Sequence, residues 1–340
     1  KSVGLGGKRM PSASGRGVPR RLSALRQREG RVGARDVARS TPRAAATMWD
    51  RPQPDPELLL SRDPLEVLAA CGEAASDHPR VREVREGLRE EGIAVWRGFL
   101  GAAATSALQK EGTDLAERAF VAELEHTVSL ASAGASTSEG ASASAEASVD
   151  EFLQRTKQGN VAYDLLPLGS GLRALYEWDG LPRLLEVLLA GTLPGSEQTG
   201  RRRVHRLADP LGACSVLVYR ESFEIGWHFD EALFSVSLCL QAPEAGGRFE
   251  YLPHSRGDEV RVRRSLTGSG EARTLEADPG DLVIFLGSQM LHRVTPVSGA
   301  RDRLVACFCF ADAPGVHNSP AVQTSFFGRA AAHPPPLYDH

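Results

Sequence analysis

The sequence has no apolar run approaching the roughly 18 residues needed to cross a bilayer. No integral membrane protein is expected, nor any membrane partner. Cysteine is sparse: Cys71, Cys214, Cys239, Cys307 and Cys309 are too few and too scattered in 340 residues to form a disulfide framework. Four of the five fall in strand-like apolar runs, where a reduced thiol serves as a small core residue. Cys307 and Cys309 alternate with Phe308 and Phe310, which reads as one face of a strand and not as a metal pair. Together these scarcities favour a reducing compartment, cytoplasmic or organellar, and argue against secretion. Internal repeats are also absent.

Acidic charge is scarce at the beginning of the chain. Residues 1–47 carry 12 of the 40 Lys and Arg against only Glu29 and Asp36. With a net charge of −3 for the chain, everything after this head sums to −13. Such an acidic body is poorly suited to nucleic acid phosphates, so no nucleic-acid partner is expected. The head lacks interleaved aromatics and dense charge blocks, which also disfavours a nucleic-acid tail. Two readings of it stay open: an Arg-rich, Ser-containing, acid-poor transit segment, or a translated leader ahead of Met48.

From residue 48 to 317 the chain reads as one domain, helical over 56–200 and strand-rich over 203–311, followed by a tail at 318–340. Asp63-Pro64 supplies an N-cap and a first helical position ahead of Leu65, Val67 and Leu68. A charged helix is expected from about Val81 to Arg89, a strand over residues 93–100, and a helix from Ala102 to about Glu125. Residues 128–149 are almost all Ser, Ala, Gly, Thr and Glu. That composition cannot bury enough apolar area to offset its ordering entropy, so it reads as a flexible insertion within a helical region. Helical patterning resumes around Val149–Lys157 and Leu181–Leu189.

After Arg203 come short β-branched or aromatic runs: Cys214–Tyr219, Leu233–Leu240, Gly247–Leu252, Glu259–Arg263, Asp281–Leu286 and Leu304–Phe310. Turns such as Ala245-Gly246-Gly247 and Asp278-Pro279-Gly280-Asp281 punctuate them. Strands without intervening helices imply antiparallel sheets closed into a sandwich or jelly roll, and helices before strands make the chain α+β.

The informative segment is Gly226-Trp227-His228-Phe229-Asp230. In extended chain, side chains two apart share a face, so His228 and Asp230 project together and Phe229 points the other way. An imidazole, a carboxylate and one distant histidine form the two-His-one-carboxylate triad of non-haem iron sites. His292, sixty-four residues on, supplies the third member. Alone, a His-x-Asp is more often structural than not. Here His292 follows the turn and strand Pro279–Leu286, and Arg303 opens a further strand where a guanidinium can pair with a carboxylate in two places.

At this point the chain resembles the 2-oxoglutarate- and Fe(II)-dependent oxygenases of the prolyl-hydroxylase-like type. The resemblance runs from about Gly92 to Ala311 and is densest from Tyr219 to Phe310. It implies a double-stranded β-helix (jelly roll) with N-terminal helices packed on its outer sheet. It also implies iron on His228, Asp230 and His292, and 2-oxoglutarate held at its distal carboxylate by Arg303 and placed by Tyr219. Ascorbate would be a supporting reductant. The run Phe229–Pro253 is similar to a branch holding hydroxylases and halogenases of free amino acids. Halogenases of that branch replace the carboxylate ligand with a small residue. This chain keeps Asp230, which favours hydroxylation.

Glu231, beside a ligand, reads either as a surface residue or as a substrate contact at the barrel mouth. The remaining candidates are weaker. His205 sits in a basic turn, His254 at a strand end, and His317, His333 and His340 in a Pro-rich stretch. The expected function is hydroxylation of a small-molecule or amino-acid-like substrate with dioxygen. A cupin-like metal dioxygenase that does not use 2-oxoglutarate and a non-catalytic metal-binding scaffold are the rivals. The oligomeric state is left open.

Overall fold

The computed structural model describes residues 51–70, 73–129, 149–193 and 203–332, which lie within one compact unit, Ala46–His340. The basic head, most of the Ser/Ala insertion and the last eight residues are outside the described residues. Among the described residues, no helix is long and apolar enough to cross a membrane.

The N-terminal layer is helical because its apolar residues recur every three or four positions. Helices α1 (Arg62–Ala69), α2 (Glu73–Ser76) and α3 (Pro79–Glu90) come first. In α3, Pro79 opens the helix, the His78 ring accepts from the Arg80 N–H, and Val81, Val84 and Leu88 form the buried stripe. Strand β1 (Ile93–Trp96) follows, and then α4 (Ala102–Ala116). Gly112 lets α4 settle on the sheet: a Cβ there would stand 2.9 Å from Leu240 and 3.6 Å from Leu304. Helices α5 (Gly171–Glu177) and α6 (Gly180–Leu189) complete the layer.

Three expected elements are corrected. The helix read to about Glu125 stops at Ala116, and Phe120–His126 forms strand β2. The helix read over Val149–Lys157 is a single 3-10 turn, Val149–Glu151, followed by strand β3 (Gln154–Val161). These strands pair along their whole length, from Phe120 with Asn160 to His126 with Gln154. Long-range pairing overrides the helix-forming Ala, Leu and Glu of β2. The Ser/Ala insertion therefore links two paired strands and does not interrupt a helical region. Finally, Glu259–Leu266 is a helix and not a strand. Asp258 caps the Arg261 N–H and Arg263 and Arg264 sit in the last turn; of the two alternating valines only Val262 is buried.

The remaining strands are β4 (His205–Arg206), β5 (Cys214–Tyr219), β6 (Glu224–His228), β7 (Ser235–Gln241), β8 (Ala245–Gly246) and β9 (Phe249–Leu252). After them come β10 (Arg273–Leu275), β11 (Leu282–Phe285), β12 (Leu291–Val294), β13 (Val297–Ser298), β14 (Arg303–Phe308) and β15 (Phe310–Ala311). The main sheet runs β1-β11-β7-β14-β5-β3-β6-β12-β9-β10, with every pairing antiparallel. From β5 onward the chain alternates between its two halves, β5, β7, β11 and β14 on one side and β6, β9, β10 and β12 on the other. The sheet is curled so that the halves face each other. This is a jelly roll, a double-stranded β-helix.

Strand parity decides what each face carries. Val216 and Val218 of β5, Leu304, Ala306 and Phe308 of β14, and Leu238 of β7 face outward and form the main core with the N-terminal helices, as expected. The outer face of the second half is covered separately: Trp227, Phe229, Leu252 and Leu291 pack against Val262 of the helix Glu259–Leu266. The residues of opposite parity, among them Tyr219, Arg303, Cys239 and Ser237, are left for the interior. A further helix, Pro320–Phe327, lies within the stretch read as tail and packs on β2 and β3.

Candidate metal centre

His228 ends β6 and His292 lies in β12, and the two are direct partners in the antiparallel ladder. Paired residues point to the same side, so their rings meet in the barrel with centroids 4.1 Å apart and planes tilted by 52°. Asp230 lies two residues past His228, beyond the end of β6, and its backbone N–H donates to the Gly287 carbonyl. Gly287 makes this possible, because a Cβ there would stand 2.1 Å from Asp230 Oδ2. Phe229, between the ligand candidates, turns to the outer face and joins Trp227.

The three side chains converge. Asp230 Oδ1 is 3.4 Å from His228 Nε2 and 3.4 Å from His292 Nε2. Both rings are fixed from behind: His228 Nδ1 is 2.8 Å from the Gly226 carbonyl and His292 Nδ1 is 3.0 Å from the Met290 carbonyl. A carbonyl can only accept, so each Nδ1 carries the proton and each Nε2 turns a lone pair toward the carboxylate. Ser235 Oγ donates to the other carboxylate oxygen at 2.6 Å. Both histidines are buried, at 4% side-chain exposure, and Asp230 is 21% exposed.

Burial, with His292 nearby, pushes the His228 imidazole below its ordinary range. Burial would raise the Asp230 carboxyl, but positive charge at the cluster, carried by the His292 and His228 rings whenever they are protonated, holds it well below the usual carboxylate range. Two neutral nitrogens and an anionic oxygen aimed at one point repel each other unless a cation lies between them. Bonds of about 2.0–2.2 Å to a shared ion suit that donor set, which is the one non-haem iron sites use. The residues therefore fit a divalent transition metal. Among the described residues, one other group has metal-like spacing, Asp63, Glu66 and His78. There Arg80 pairs with Asp63 and Arg62 with Glu66, so surface ion pairs account for it.

Arg303 and Tyr219 are also partners in the ladder, with the guanidinium carbon 5.1 Å from the centre of the tyrosine ring. Arg303 lines a cavity of about 230 Å³ together with Ser237, Cys239, Gln241, Phe249 and Val305. Phe249 stacks on His292 at 5.4 Å, which connects the cavity to the cluster. Among the described residues, no carboxylate or carbonyl is paired with the Arg303 guanidinium. Arg301, by contrast, donates to the Ala242 and Pro243 carbonyls. The Tyr219 hydroxyl donates to Gln158 Oε1 at 2.9 Å, and burial raises its pKa. Glu231 is exposed. His254 adopts a left-handed backbone (φ 46°), its ring lies 2.9 Å from the Arg89 carbonyl, and it is not one of the converging side chains.

Several contributors lay beyond the reach of the sequence reading. Gly287 meets Asp230 only through tertiary structure, and Ser235, five residues on, reaches it only through the conformation of the loop between them. On β3, Thr156, Gln158 and Asn160 form a buried polar row. Alternation of polar residues with Lys157 and Gly159 leaves no apolar period to signal a strand.

A family model described as Halogenase D matches residues 219–325, the part of the chain where the sequence resemblance is densest. A search of the curated proteins finds no match. Among solved structures, the chain is similar to a prolyl-4-hydroxylase from Pseudomonas putida, at 17% identity over 67% of this chain and 97% of that one, with a TM-score of 0.41. It is also similar to a 2OG-Fe(II) oxygenase-family oxidoreductase from Burkholderia pseudomallei (14% identity, 69% and 92%, TM-score 0.42). A third is the epimerase SnoN in complex with Fe3+, α-ketoglutarate and nogalamycin RO (17%, 70% and 85%, TM-score 0.46).

Proposed function

We propose that this protein is a 2-oxoglutarate- and Fe(II)-dependent oxygenase that hydroxylates a small, amino-acid-like substrate. One observation carries the reading: two backed imidazoles and a carboxylate converge beside a cavity into which Arg303 brings an unpaired guanidinium. His228, Asp230 and His292 would hold the iron. Arg303 would take the distal carboxylate of 2-oxoglutarate through its planar fork, with the Tyr219 ring beneath it. Bound iron supplies a site where dioxygen is activated at the expense of 2-oxoglutarate, giving succinate, carbon dioxide and one oxygen atom in the product. The chain's own part is positioning and exclusion of water. Phe249 and Phe285 flank the His292 ring at 5.4 and 5.2 Å and keep that side of the cluster apolar.

The match to a halogenase family model supplies a rival reading, in which a halide takes the place of a protein carboxylate. Asp230 argues against it, since its carboxylate already fills that corner, held by the Ser235 hydroxyl, while its backbone N–H is tied to the Gly287 carbonyl. The test is succinate release with iron, ascorbate and a panel of free amino acids, followed by mass spectrometry of products formed in chloride buffer under ¹⁸O₂. Hydroxylation gives a product carrying one labelled oxygen. A chlorine isotope pattern, or turnover independent of 2-oxoglutarate, would overturn the reading.

A further inference from the structure

Where β6 approaches the cluster, its ladder to β3 gives out. Backbone pairing joins Thr156 to Ile225 and Lys157 to Glu224 and goes no further. The next two N–H groups are taken by side chains instead. Gly226 N–H donates to Thr156 Oγ1 at 3.3 Å, and Trp227 N–H donates to Gln154 Oε1 at 3.2 Å. Gly226 is pressed against β3, where a Cβ would stand 2.8 Å from the Arg155 carbonyl oxygen.

The two side chains that take over are themselves oriented. Gln154 Nε2 donates to the Phe152 and Leu153 carbonyls, which turns Oε1 toward Trp227. Thr156, 1% exposed, lies 2.8 Å from His126 Nε2, and His126 Nδ1 lies 2.8 Å from the Thr127 carbonyl. That carbonyl requires the proton on Nδ1, so Nε2 accepts from the Thr156 hydroxyl and the hydroxyl's lone pairs are left for Gly226. His126 is itself buried and meets the His228 ring edge-on, with centroids 6.3 Å apart.

A peptide unit is planar, so holding its N–H also aims its C=O. The Trp227 N–H and the Gly226 carbonyl belong to one such unit, and that carbonyl is the acceptor behind His228 Nδ1. We infer that Gln154, Thr156 and His126 are positioning residues that, through the peptides flanking Gly226, set the direction in which His228 presents Nε2. The inference rests on the proposed role of His228 as an iron ligand. It assigns a function to the β2–β3 hairpin beyond closing the sheet.

The test is anaerobic titration of the metal-free protein with Co(II), followed by its absorption spectrum, alongside the melting temperature of the metal-free protein. Thr156→Val keeps the shape and removes the hydroxyl; Gln154→Leu removes the amide acceptor. Each should weaken cobalt binding by about 10–100-fold, the usual cost of losing an outer partner of a ligating histidine. Thr156→Ser should restore most of the affinity. His126→Phe should weaken binding too, and combined with Thr156→Val it should cost little more than Thr156→Val alone, because the two act in series. Wild-type affinity in both Thr156→Val and Gln154→Leu, whatever their melting temperatures, would overturn the inference alone. So would a Thr156→Ser protein as weak as Thr156→Val. A wild-type protein that takes up no cobalt would sink the functional reading and this inference with it.

Discussion

Two aspartates of this molecule, Asp209 and Asp230, are treated in opposite ways. Asp209 is 2% exposed and receives four donors: the N–H groups of Leu211, Gly212 and Asn318, and the Gln323 side-chain amide. Burial would raise its pKa, yet those donors, Gln323 and Gly212 foremost, hold it below the ordinary value. Asp230 has one side-chain hydroxyl donor, Ser235, and faces two imidazole nitrogens whose protons are committed elsewhere. The first carboxylate is finished by the fold and ties the segment before β5 to the C-terminal helix. The second is left open toward a cation. Saturation marks a structural group, and unfinished convergence of perturbed groups marks a chemical one.

The sharpest way to break this contrast is Asp230→Ala. Metal affinity and turnover should fall by far more than the ~100-fold typical of losing an outer partner. The metal-free melting temperature should move by no more than about 4 °C, the scale of a ~1 kcal/mol effect. A large loss of stability with metal binding intact would reverse the assignment of the two aspartates.

Asp209→Ala should do the converse. It strands four buried donors at about 1–3 kcal/mol for each group left unsatisfied, so urea unfolding should show a loss of at least about 3 kcal/mol. Cobalt affinity of the folded fraction should stay at the wild-type value. Arg303→Lys tests whether the open character extends to the cavity. Affinity for 2-oxoglutarate should drop about tenfold, or ~1.4 kcal/mol, because a point charge cannot reproduce the planar fork. Unchanged affinity removes Arg303 from the site.

The smallest effect concerns acid. The folded pKa of Asp209 is depressed, so its contribution to stability is complete above the unfolded value of about 3.9 and is lost as pH falls through the folded value. Unfolding free energy measured between about pH 2 and 5 should therefore fall toward acid more steeply in the wild type than in Asp209→Asn. Equal slopes would show that the donors do not favour the charged form.

Much of the site was legible because its cues are local. His228 and Asp230 share a face by strand parity, and Phe229 opposes them; Arg303 does open a strand, and both halves of that expectation follow from spacing. The elements that failed had misleading local cues. The polar inner row of β3 and the helix-forming residues of β2 hid a buried hairpin, and Val260 with Val262 imitated a strand inside a capped helix. No pattern in Gln154, Thr156 or His126 betrays a role, since each acts on a segment some 70 to 100 residues away.

By itself, the sequence determined the parity of the strands it revealed, β5, β6, β7 and β14 among them, and with it which of their residues face outward and which face inward. Parity is a property of the extended backbone and needs no partner. Only the tertiary structure decided that His292 lies opposite His228, that Gly287 admits the Asp230 carboxylate, and that side chains of β3 replace a missing stretch of ladder. Those are matters of register between strands distant in the chain. Register is fixed by how all the strands close together, which no local window of sequence contains.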